Sequence, residues 1–267
     1  MTKKALCVGI NTYRVKPLNG CVSDANDWAT LLAEHYDFPK TSIKLLTDGD
    51  ATKRGILDGL KGLLAGAQTG DVLVFTNSSH GAQVLDIGDG DEAVDEAICP
   101  VDFESGVLVD DELRELFTAL GVGVHLAVIA DSCHSGTVTR APGEPTYSGE
   151  YTSRPRFLDW SFLPSTLRPT AKAFEAKTER YPEDGMREIL LAGCTDRESS
   201  YDAPLDGRYH GVMTYHALSA IRGAGYRISY AQLAARLSEL FARTKFAGLQ
   251  HPQLEGRSDN KALQIFA

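Results

Sequence analysis

Two short polar stretches, each directly after an apolar run, contain the residues of this chain that are best suited to chemistry. His80 follows the run Val72–Phe75, and Cys133 follows the run Val124–Ile129. Short apolar runs of this kind predict buried parallel strands, and ligands bind beyond the C-terminal ends of such strands. A cysteine and a histidine that meet at this edge form a nucleophile and its base. The first hypothesis is therefore nucleophilic catalysis by Cys133 with His80.

The chemistry of a thiol nucleophile explains why these residue types matter. A free thiol has a pKa of about 8.5, so a neighbouring imidazole is needed to take its proton and later to protonate the leaving amine. Gly81 has no Cβ, so its N–H can approach a substrate carbonyl oxygen, and with the N–H of Cys133 it would form an oxyanion hole. His134 is an alternative imidazole, although adjacent side chains usually diverge. As isolated residues, Cys133 and His80 would more often be buried structural groups.

The composition disfavours several other classes of function. The chain has 267 residues, of which 43% are hydrophobic, and a formal net charge of −9. This negative charge argues against nucleic acids and anionic membranes as partners, and no apolar run approaches the roughly 18 residues of a membrane span. The apolar stretch Ala5–Ile10 is too short for a signal peptide. Five cysteines without paired spacing indicate a reducing compartment, so we expect a cytoplasmic protein.

Strand and helix patterns alternate along most of the chain and predict an α/β fold. Repeated βα units give right-handed crossovers and a mainly parallel sheet that is covered on both faces. The predicted strands are Ala5–Ile10, Ile43–Leu46, Val72–Phe75, Val124–Ile129, Arg187–Ala192 and Ala262–Phe266. The predicted helices are Asp24–His35, Lys53–Ala65 with Thr52 as its N-cap, a helix that starts near Asp110, Val212–Ile221 and Tyr230–Phe241.

The segment Thr137–Asp184 differs from the rest of the chain. It holds six of the eleven prolines, shows little periodicity and carries several basic residues. The pattern predicts a long, loosely structured connection, in which Arg156–Leu163 is apolar enough to pack against the rest. A loop of this length is usually functional or disordered.

Six motifs resemble those of the metacaspases, a group of the caspase-like clan of cysteine proteases (peptidase family C14, prokaryotic type). Asp131–Gly136 matches the nucleophile motif, and Ser79–Gly81 resembles the histidine motif, with serine where the family usually has glycine. Caspase-type proteases place the histidine about 50 residues before the cysteine, and here the separation is 53. The other four motifs are Ala5–Asn11, Asn19–Ala25, Leu191–Asp196 and Gln250–Leu254.

This resemblance implies a caspase-hemoglobinase-like fold, a three-layer α/β/α sandwich with a mainly parallel central sheet. It also implies one domain over residues 1–267. That domain would consist of a large-subunit-like part (1–136), a proline-rich linker (137–186) and a small-subunit-like part (187–267). The resemblance favours a monomer whose partners are its protein or peptide substrates.

The resemblance assigns the same catalytic residues as the chemistry above and adds a pocket for P1, the substrate residue before the cleaved bond. Asp24 and Asp131 would form this pocket, with Cys21 and Ser78 in its lining. Two carboxylates in a concave site attract an Arg or Lys side chain and repel an Asp side chain. Arg can be held in a bidentate way, which favours it over Lys. Without the resemblance, Asp24 is equally well explained as a carboxylate at a helix start.

Calcium is the cofactor that the resemblance implies, with ligands near Asp95, Asp110 and Asp111. An acidic loop over residues 86–96 contains the first of these, and calcium favours clusters that supply about six to eight oxygen ligands. One further aspartate of the family falls at Arg140 in this chain. The alternative is that Asp110 and Asp111 cap a helix and that the loop is solvated.

The leading interpretation is a cysteine endopeptidase that cleaves after Arg or Lys and uses no organic cofactor. Such an enzyme would carry substrates on its own basic linker, which predicts self-cleavage between about Arg140 and Arg180. An uncut surface loop is the alternative for the linker.

Three other functions compete with this interpretation. A caspase-fold pseudoenzyme with a regulatory or binding role is the main one, and the presence of both His80 and Cys133 argues against it. A nucleotide-binding enzyme would need a GxGxxG or GxxxxGK(S/T) motif, and neither occurs. A serine hydrolase that uses Ser132 or Ser135 would need a GxSxG motif, which is also missing.

Overall fold

Six strands form the central sheet of the computed structural model, which describes residues 1–86, 94–133, 152–169, 182–195 and 198–267. In spatial order they are β12 (Gln253–Glu255), β9 (Glu188–Ala192), β7 (His125–Asp131), β3 (Val72–Ser78), β1 (Lys3–Gly9) and β2 (Ile43–Thr47). All neighbours pair in parallel except β12, which is antiparallel to β9. Strands from before and after the proline-rich segment share this sheet, and the predicted α/β fold with a mainly parallel sheet is confirmed.

Helices cover both faces of the central sheet. One face carries α1 (Cys21–His35), α4 (Val212–Gly223) and α5 (Tyr230–Phe241), and the other carries α2 (Lys53–Leu64) and α3 (Asp110–Thr118). Successive side chains of β1 point to opposite faces, so Ala5 and Cys7 pack with the first group and Leu6 and Val8 with the second. A short helix, α6 (Ser258–Lys261), follows β12. Among the described residues, no helix combines the length and apolar character needed to cross a bilayer.

Local hydrogen bonds explain where these helices begin. The Thr52 hydroxyl oxygen accepts the N–H of Gly55 at 3.0 Å, so α2 starts at its predicted N-cap. By contrast, α1 begins at Cys21, three residues earlier than predicted. The side-chain oxygen of Asn11 accepts the Cys21 N–H at 2.9 Å. This cap comes from outside the helix, and no local pattern around Cys21 reveals it.

Two small antiparallel sheets adjoin the C-terminal edge of the central sheet. One consists of β4 (Gly81–Leu85), β5 (Val94–Ile98) and β6 (Leu108–Val109), and β4 begins directly after His80. The other consists of β8 (Arg154–Pro155), β10 (Tyr201–Leu205) and β11 (Arg208–Gly211). These strands have two to five residues, which is too short for a clear alternating pattern in the sequence.

The prediction of a loosely structured linker is wrong for residues 152–169, but the expected packing of Arg156–Leu163 is confirmed. Arg154 and Pro155 form β8, and the side chains of Arg156, Leu158 and Leu163 are buried. The linker residues 137–151 and 170–181 lie outside the described residues. Burial of apolar side chains and of one paired arginine orders this stretch despite its prolines.

The predicted C-terminal strand Ala262–Phe266 is also wrong. Only Gln264 makes a single bridge, to Ser229, and Phe266 has a φ of 56°, which does not belong to a strand. The ring of Phe266 instead packs edge-on against Trp28, with ring centroids 6.2 Å apart. The edge strand of the central sheet is instead β12, which overlaps the Gln250–Leu254 motif.

The N-cap of α2 gives a test of the fold. Thr52→Ala removes the oxygen that accepts the Gly55 N–H and should lower the free energy of unfolding by about 1 kcal/mol. Thr52→Ser keeps that oxygen and is the matched control. Urea unfolding followed by circular dichroism measures both variants, and equal stabilities for them would contradict the assigned cap.

Candidate active site

The catalytic candidates lie just beyond two paired strand ends. β3 and β7 are adjacent and parallel, and their last residues, Ser78 and Asp131, are partners in the register. His80 and Cys133 follow two residues later in each case. The sheet therefore brings both to one edge, where both residues are buried.

Two backbone N–H groups converge on one carbonyl oxygen at this edge. The N–H of Gly81 and the N–H of Cys133 donate to the carbonyl oxygen of Arg156, at 2.9 and 3.3 Å. These are the two donors expected to form the oxyanion hole. The Arg156 carbonyl therefore lies where the carbonyl of a P1 residue would lie.

Main-chain hydrogen bonds on both sides hold the Arg156 carbonyl in this position. The N–H of Arg156 donates to the Ser200 carbonyl oxygen, and the N–H of Leu158 donates to the Gly81 carbonyl oxygen, both at 2.8 Å. Just upstream, β8 pairs with β10 through Pro155. The segment is thus bound as an added strand, the way in which extended peptides bind to sheet edges.

The imidazole of His80 is oriented by a backbone carbonyl. Its Nε2 lies 2.7 Å from the carbonyl oxygen of Lys16, so Nε2 carries the proton of the neutral ring and Nδ1 is left as the base. Lys16 has a φ of 51°, in the left-handed region that is uncommon for residues other than glycine. Nδ1 is buried and has no hydrogen-bond partner within the described part of the chain.

Burial keeps this ring neutral. It lowers the pKa of His80 from 6.5 to about 4, even though the backbone carbonyl groups of Lys16 and Arg156 favour the protonated ring. At neutral pH the ring can therefore accept a proton.

Tyr13 and Ser79 support the backbone of His80. The Tyr13 hydroxyl accepts the His80 N–H at 3.2 Å, and its ring packs on the imidazole with centroids 4.8 Å apart. The hydroxyl of Ser79, the residue that replaces the family glycine, donates to the His80 carbonyl oxygen at 2.9 Å. It also accepts the Asn77 side-chain N–H at 2.9 Å. The serine is therefore accommodated with its polar atoms paired.

The thiols of two cysteines lie at the carbonyl oxygen of Glu198. The thiol of Cys133 donates to this oxygen at 2.8 Å, and the thiol of Cys194 lies 3.4 Å from it. As a nucleophile, Cys133 would have to turn away from Glu198.

The side chain of Arg156 fills the predicted P1 pocket. Its Nη2 lies 2.6 Å from an Asp24 carboxylate oxygen and 3.2 Å from an Asp202 carboxylate oxygen. Its Nη1 lies 3.5 Å from an Asp131 carboxylate oxygen and donates to the Asp131 carbonyl oxygen at 2.9 Å. The structure thus brings the two predicted carboxylates together and adds Asp202 of β10 as a third.

Backbone N–H groups fix these carboxylates around the guanidinium. The N–H of Gly211 donates to Asp24 at 3.0 Å, and the N–H of Asn19 donates to Asp202 at 2.8 Å. Burial raises the pKa of Asp202, while Arg156 and the Asn19 N–H act in the opposite direction. The pocket is therefore prearranged for a cation that reaches it.

Of the two predicted lining residues, Cys21 lies near the ion cluster and Ser78 lies next to Asp131 in the sheet. Cys21 begins α1, and burial raises the pKa of its thiol, which the nearby charge of Arg156 partly offsets. Ser78 is the register partner of Asp131 on the next strand. Gly211 closes the pocket, because a Cβ at this position would overlap the Asp131 carboxylate and the Arg156 guanidinium.

The three aspartates expected to bind calcium lie in β5 and at the start of α3, and none of them is among the residues that contact Arg156. Asp95 is in β5 rather than in a loop, and β5 pairs with β6, which leads directly into α3. Asp110 and Asp111 begin α3, and both carboxylates are bonded to Arg114. No group of three or more His, Cys, Asp or Glu side chains in the described ranges is arranged to hold a metal, and calcium binding stays a prediction. Asp89, Asp91, Glu92, His134 and Arg140 lie outside the described residues.

Sequence reasoning missed Ser200 and Asp202, and it treated Arg156 only as one of the basic residues of the linker. Ser200 and Asp202 belong to the short stretch around β10, which has no periodic pattern. Arg156 had a usable signal, because a basic residue followed by Phe157 and Leu158 stands out in the proline-rich segment of a protease expected to cleave after Arg.

Comparisons with known proteins show the family of this chain. Residues 3–142 match the family described as metacaspase, peptidase C14 domain. Metacaspase-1A from Aspergillus oryzae is 33% identical over 285 residues, which cover 95% of this chain and 67% of the fungal protein. Metacaspase-3 from Arabidopsis thaliana is 33% identical over 264 residues, which cover 92% of this chain and 68% of the plant protein.

Solved structures show the same architecture. A protein from Geobacter sulfurreducens superposes with a TM-score of 0.73 at 26% identity, over 100% of this chain and 99% of that one. Caspase-1 from Spodoptera frugiperda superposes with a TM-score of 0.57 at 12% identity, over 95% of this chain and 86% of that one, which supports the fold alone. From the family match and these relatives, we conclude that this chain belongs to the metacaspases, the cysteine peptidases with a caspase-like fold.

Proposed function

We propose that this protein is an endopeptidase that cleaves peptide bonds after Arg or Lys, with Cys133 as nucleophile and His80 as base. One observation carries the proposal. Arg156 is bound with its carbonyl oxygen on the N–H groups of Gly81 and Cys133, and with its guanidinium among three carboxylates. A P1 arginine of a substrate would make the same contacts.

The proposed reaction uses these groups in order. Nδ1 of His80 takes the thiol proton, and the thiolate of Cys133 attacks the P1 carbonyl carbon. The N–H groups of Gly81 and Cys133 stabilise the oxyanion, and the protonated His80 gives its proton to the leaving amine. Water then hydrolyses the thioester, with His80 as the base.

The pocket favours Arg over Lys at P1. The guanidinium of Arg156 reaches Asp24 and Asp202 through one nitrogen and Asp131 through the other. A lysine has a single nitrogen at the end of its side chain and cannot bond to both sides of this pocket in the same way.

Self-cleavage is part of the proposal, because a basic linker residue already occupies the P1 pocket. The alternative, a pseudoenzyme, would use the same pocket only to bind a basic segment. A monomeric state and a cytoplasmic location stay predictions from the sequence.

The nucleophile gives the first test of activity. Cys133→Ala should abolish cleavage of a P1-Arg peptide, and His80→Ala should lower kcat by about 10²–10⁴-fold, the usual contribution of a positioned base. Cys7→Ala, which changes a buried cysteine in β1, is the control. Turnover by Cys133→Ala at a rate near that of the wild type would refute the mechanism.

The third carboxylate gives a test of specificity. Asp202→Asn keeps the shape of the pocket but removes the charge that contacts Nη2 of the P1 arginine. The transition state should lose about 2–5 kcal/mol of stabilisation, which would appear as a lower kcat/KM for P1-Arg peptides. Asp27→Asn, which changes a carboxylate paired with Arg208 on the surface side of α1, is the matched control. If wild-type enzyme cleaves P1-Asp peptides as fast as P1-Arg peptides, the acidic pocket does not select the substrate.

Calcium stimulation remains a separate part of the proposal, based on family resemblance. If Asp95, Asp110 and Asp111 rearrange to bind the ion, millimolar calcium should raise activity and Asp111→Ala should abolish this response. Peptidase assays with added calcium or excess chelator measure the effect. Equal activity in both conditions would leave Asp110 and Asp111 as a helix start paired with Arg114, and Asp95 as a residue of β5.

A further inference from the structure

We propose that Gln250 positions the P1 residue of a substrate through Ser200, by fixing both the Ser200 carbonyl oxygen and the Asp131 carboxylate. The proposal rests on the proposed function and deepens it. It also gives a role to the Gln250–Leu254 motif, which the mechanism above does not use. Gln250 acts through other residues, so it is a positioning residue.

The side chain of Gln250 is fully buried and uses its whole amide group. Its Nε2 donates to the Gly193 carbonyl oxygen at 2.8 Å and to the Ser200 hydroxyl oxygen at 3.1 Å. Its Oε1 accepts the Tyr201 N–H at 3.3 Å. Only this orientation of the amide pairs a donor with the Gly193 carbonyl and an acceptor with the Tyr201 N–H. These bonds compensate for the burial of a polar group.

One branch of this network runs through the peptide group between Ser200 and Tyr201. Oε1 of Gln250 holds the N–H of this group, and the carbonyl oxygen of the same group accepts the N–H of Arg156 at 2.8 Å. A trans peptide group is planar, so its N–H and its C=O point in opposite directions. Fixing the N–H from one side therefore aims the carbonyl oxygen at the N–H of a P1 residue on the other side.

A second branch runs through the Ser200 hydroxyl to the P1 pocket. Nε2 of Gln250 can only donate, so the hydroxyl oxygen accepts there and its single proton is donated to Asp131. The other oxygen of Asp131 accepts the Thr214 N–H at 2.8 Å and lies 3.5 Å from Nη1 of Arg156. The Asp131 carboxylate is thus fixed at both oxygens, independently of the cation that it binds.

The central sheet anchors Gln250 at the Gly193 carbonyl. Gly193 directly follows β9, and its N–H donates to the Ala130 carbonyl oxygen of β7 at 2.8 Å. The strand β12, which begins three residues after Gln250, pairs with β9. A Cβ at position 193 would lie 2.7 Å from the Ser200 hydroxyl oxygen and 3.1 Å from an Asp131 carboxylate oxygen, so a glycine lets the network close.

The next residue, His251, holds the same stretch of chain at Glu198. Its N–H donates to one carboxylate oxygen of Glu198 at 2.9 Å, and its Nδ1 lies 2.5 Å from the other. The carbonyl oxygen of Glu198 accepts the thiol of Cys133. Two successive residues of one motif thus fix the stretch that contacts both the nucleophile and the P1 N–H, and Gln250 is the buried one of the two.

Two ratios of kcat/KM, each measured within one enzyme, test this role, because a loss of folded protein cancels in a ratio. The ester ratio compares a P1-Arg peptide with a depsipeptide in which an ester oxygen replaces the P1 N–H. It reports the bond to the Ser200 carbonyl oxygen. The citrulline ratio compares the P1-Arg peptide with a P1-citrulline peptide, a neutral analogue of similar shape. It reports the carboxylates of the pocket, including Asp131.

Gln250→Met removes the three hydrogen bonds of the amide and keeps the length of the side chain. In the purified full chain it should lower both ratios by about tenfold, since each ratio depends on an oriented hydrogen bond. Gln253→Met is the matched control. Its amide donates to the carbonyl oxygens of His251 and Pro252, so both ratios should keep their wild-type values.

Circular dichroism checks that each variant is folded. Unchanged ratios in folded Gln250→Met, whatever its overall activity, would show a structural role alone and would overturn the proposal.

Ser200→Ala separates the two branches and serves as the test if Gln250→Met does not fold. It removes the hydroxyl between Gln250 and Asp131 but keeps the backbone bond from the Tyr201 N–H. The citrulline ratio should therefore fall about tenfold while the ester ratio stays near its wild-type value. A wild-type citrulline ratio in Ser200→Ala would refute the branch through the hydroxyl.

The outcome also separates this inference from the function on which it rests. Wild-type protein that cleaves P1-Arg peptides, with ratios that Gln250→Met leaves unchanged, refutes the inference and leaves the peptidase intact. Protein that cleaves none of the peptides, in the presence or absence of calcium, refutes the proposed function and the inference with it.

Discussion

The buried ion cluster around Arg156 is the interaction on which the rest of the site depends. One guanidinium joins carboxylates from α1, β7 and β10, and it belongs to the linker that separates the two halves of the sequence. Burial alone disfavours a charged guanidinium, yet the pKa of Arg156 lies well above its usual value because of Cys21 and the three aspartates. Removing one partner from such a cluster typically lowers the free energy of unfolding by about 3–5 kcal/mol. A cation in the pocket therefore stabilises the three carboxylates, and the same charge requirement favours a basic P1 side chain.

The parallel sheet explains how distant residues form this site. Because β3 and β7 are neighbours in register, equal extensions beyond Ser78 and Asp131 bring His80 and Cys133 to the same edge. The chain turns into β4 directly after His80, so the N–H of Gly81 is available to a bound carbonyl rather than to the central sheet. The positions of His80 and Cys133 thus follow from the pairing of β3 with β7. The P1 pocket also requires the small sheet of β8, β10 and β11, because Asp202 belongs to β10.

This difference explains how much of the molecule could be predicted from its sequence. Long apolar runs and helix caps such as Thr52 have a local physical cause, so the central sheet and most helices were predictable. Asp24 and Asp131 were identified only by family resemblance, since a carboxylate at a helix start has an ordinary explanation. The pocket roles of Asp202 and Arg156 were missed because their burial depends on each other. Neither residue would be buried in isolation, and no window of sequence contains both.

Burial of the occupied site also makes it sensitive to acid. The folded chain holds His80 with a pKa of about 4, whereas the unfolded chain binds a proton there near the ordinary value of 6.5. A lowered pKa for a base means that the unfolded state binds more protons between these values, so this contribution to stability is complete above about pH 6.5 and is lost as the pH falls towards about 4. Burial and the nearby charge of Arg156 both lower the pKa of His80, whereas the carbonyl oxygens of Lys16 and Arg156 act in the opposite direction. Burial is the largest of these effects, so the neutral base is a consequence of the closed site that Arg156 fills.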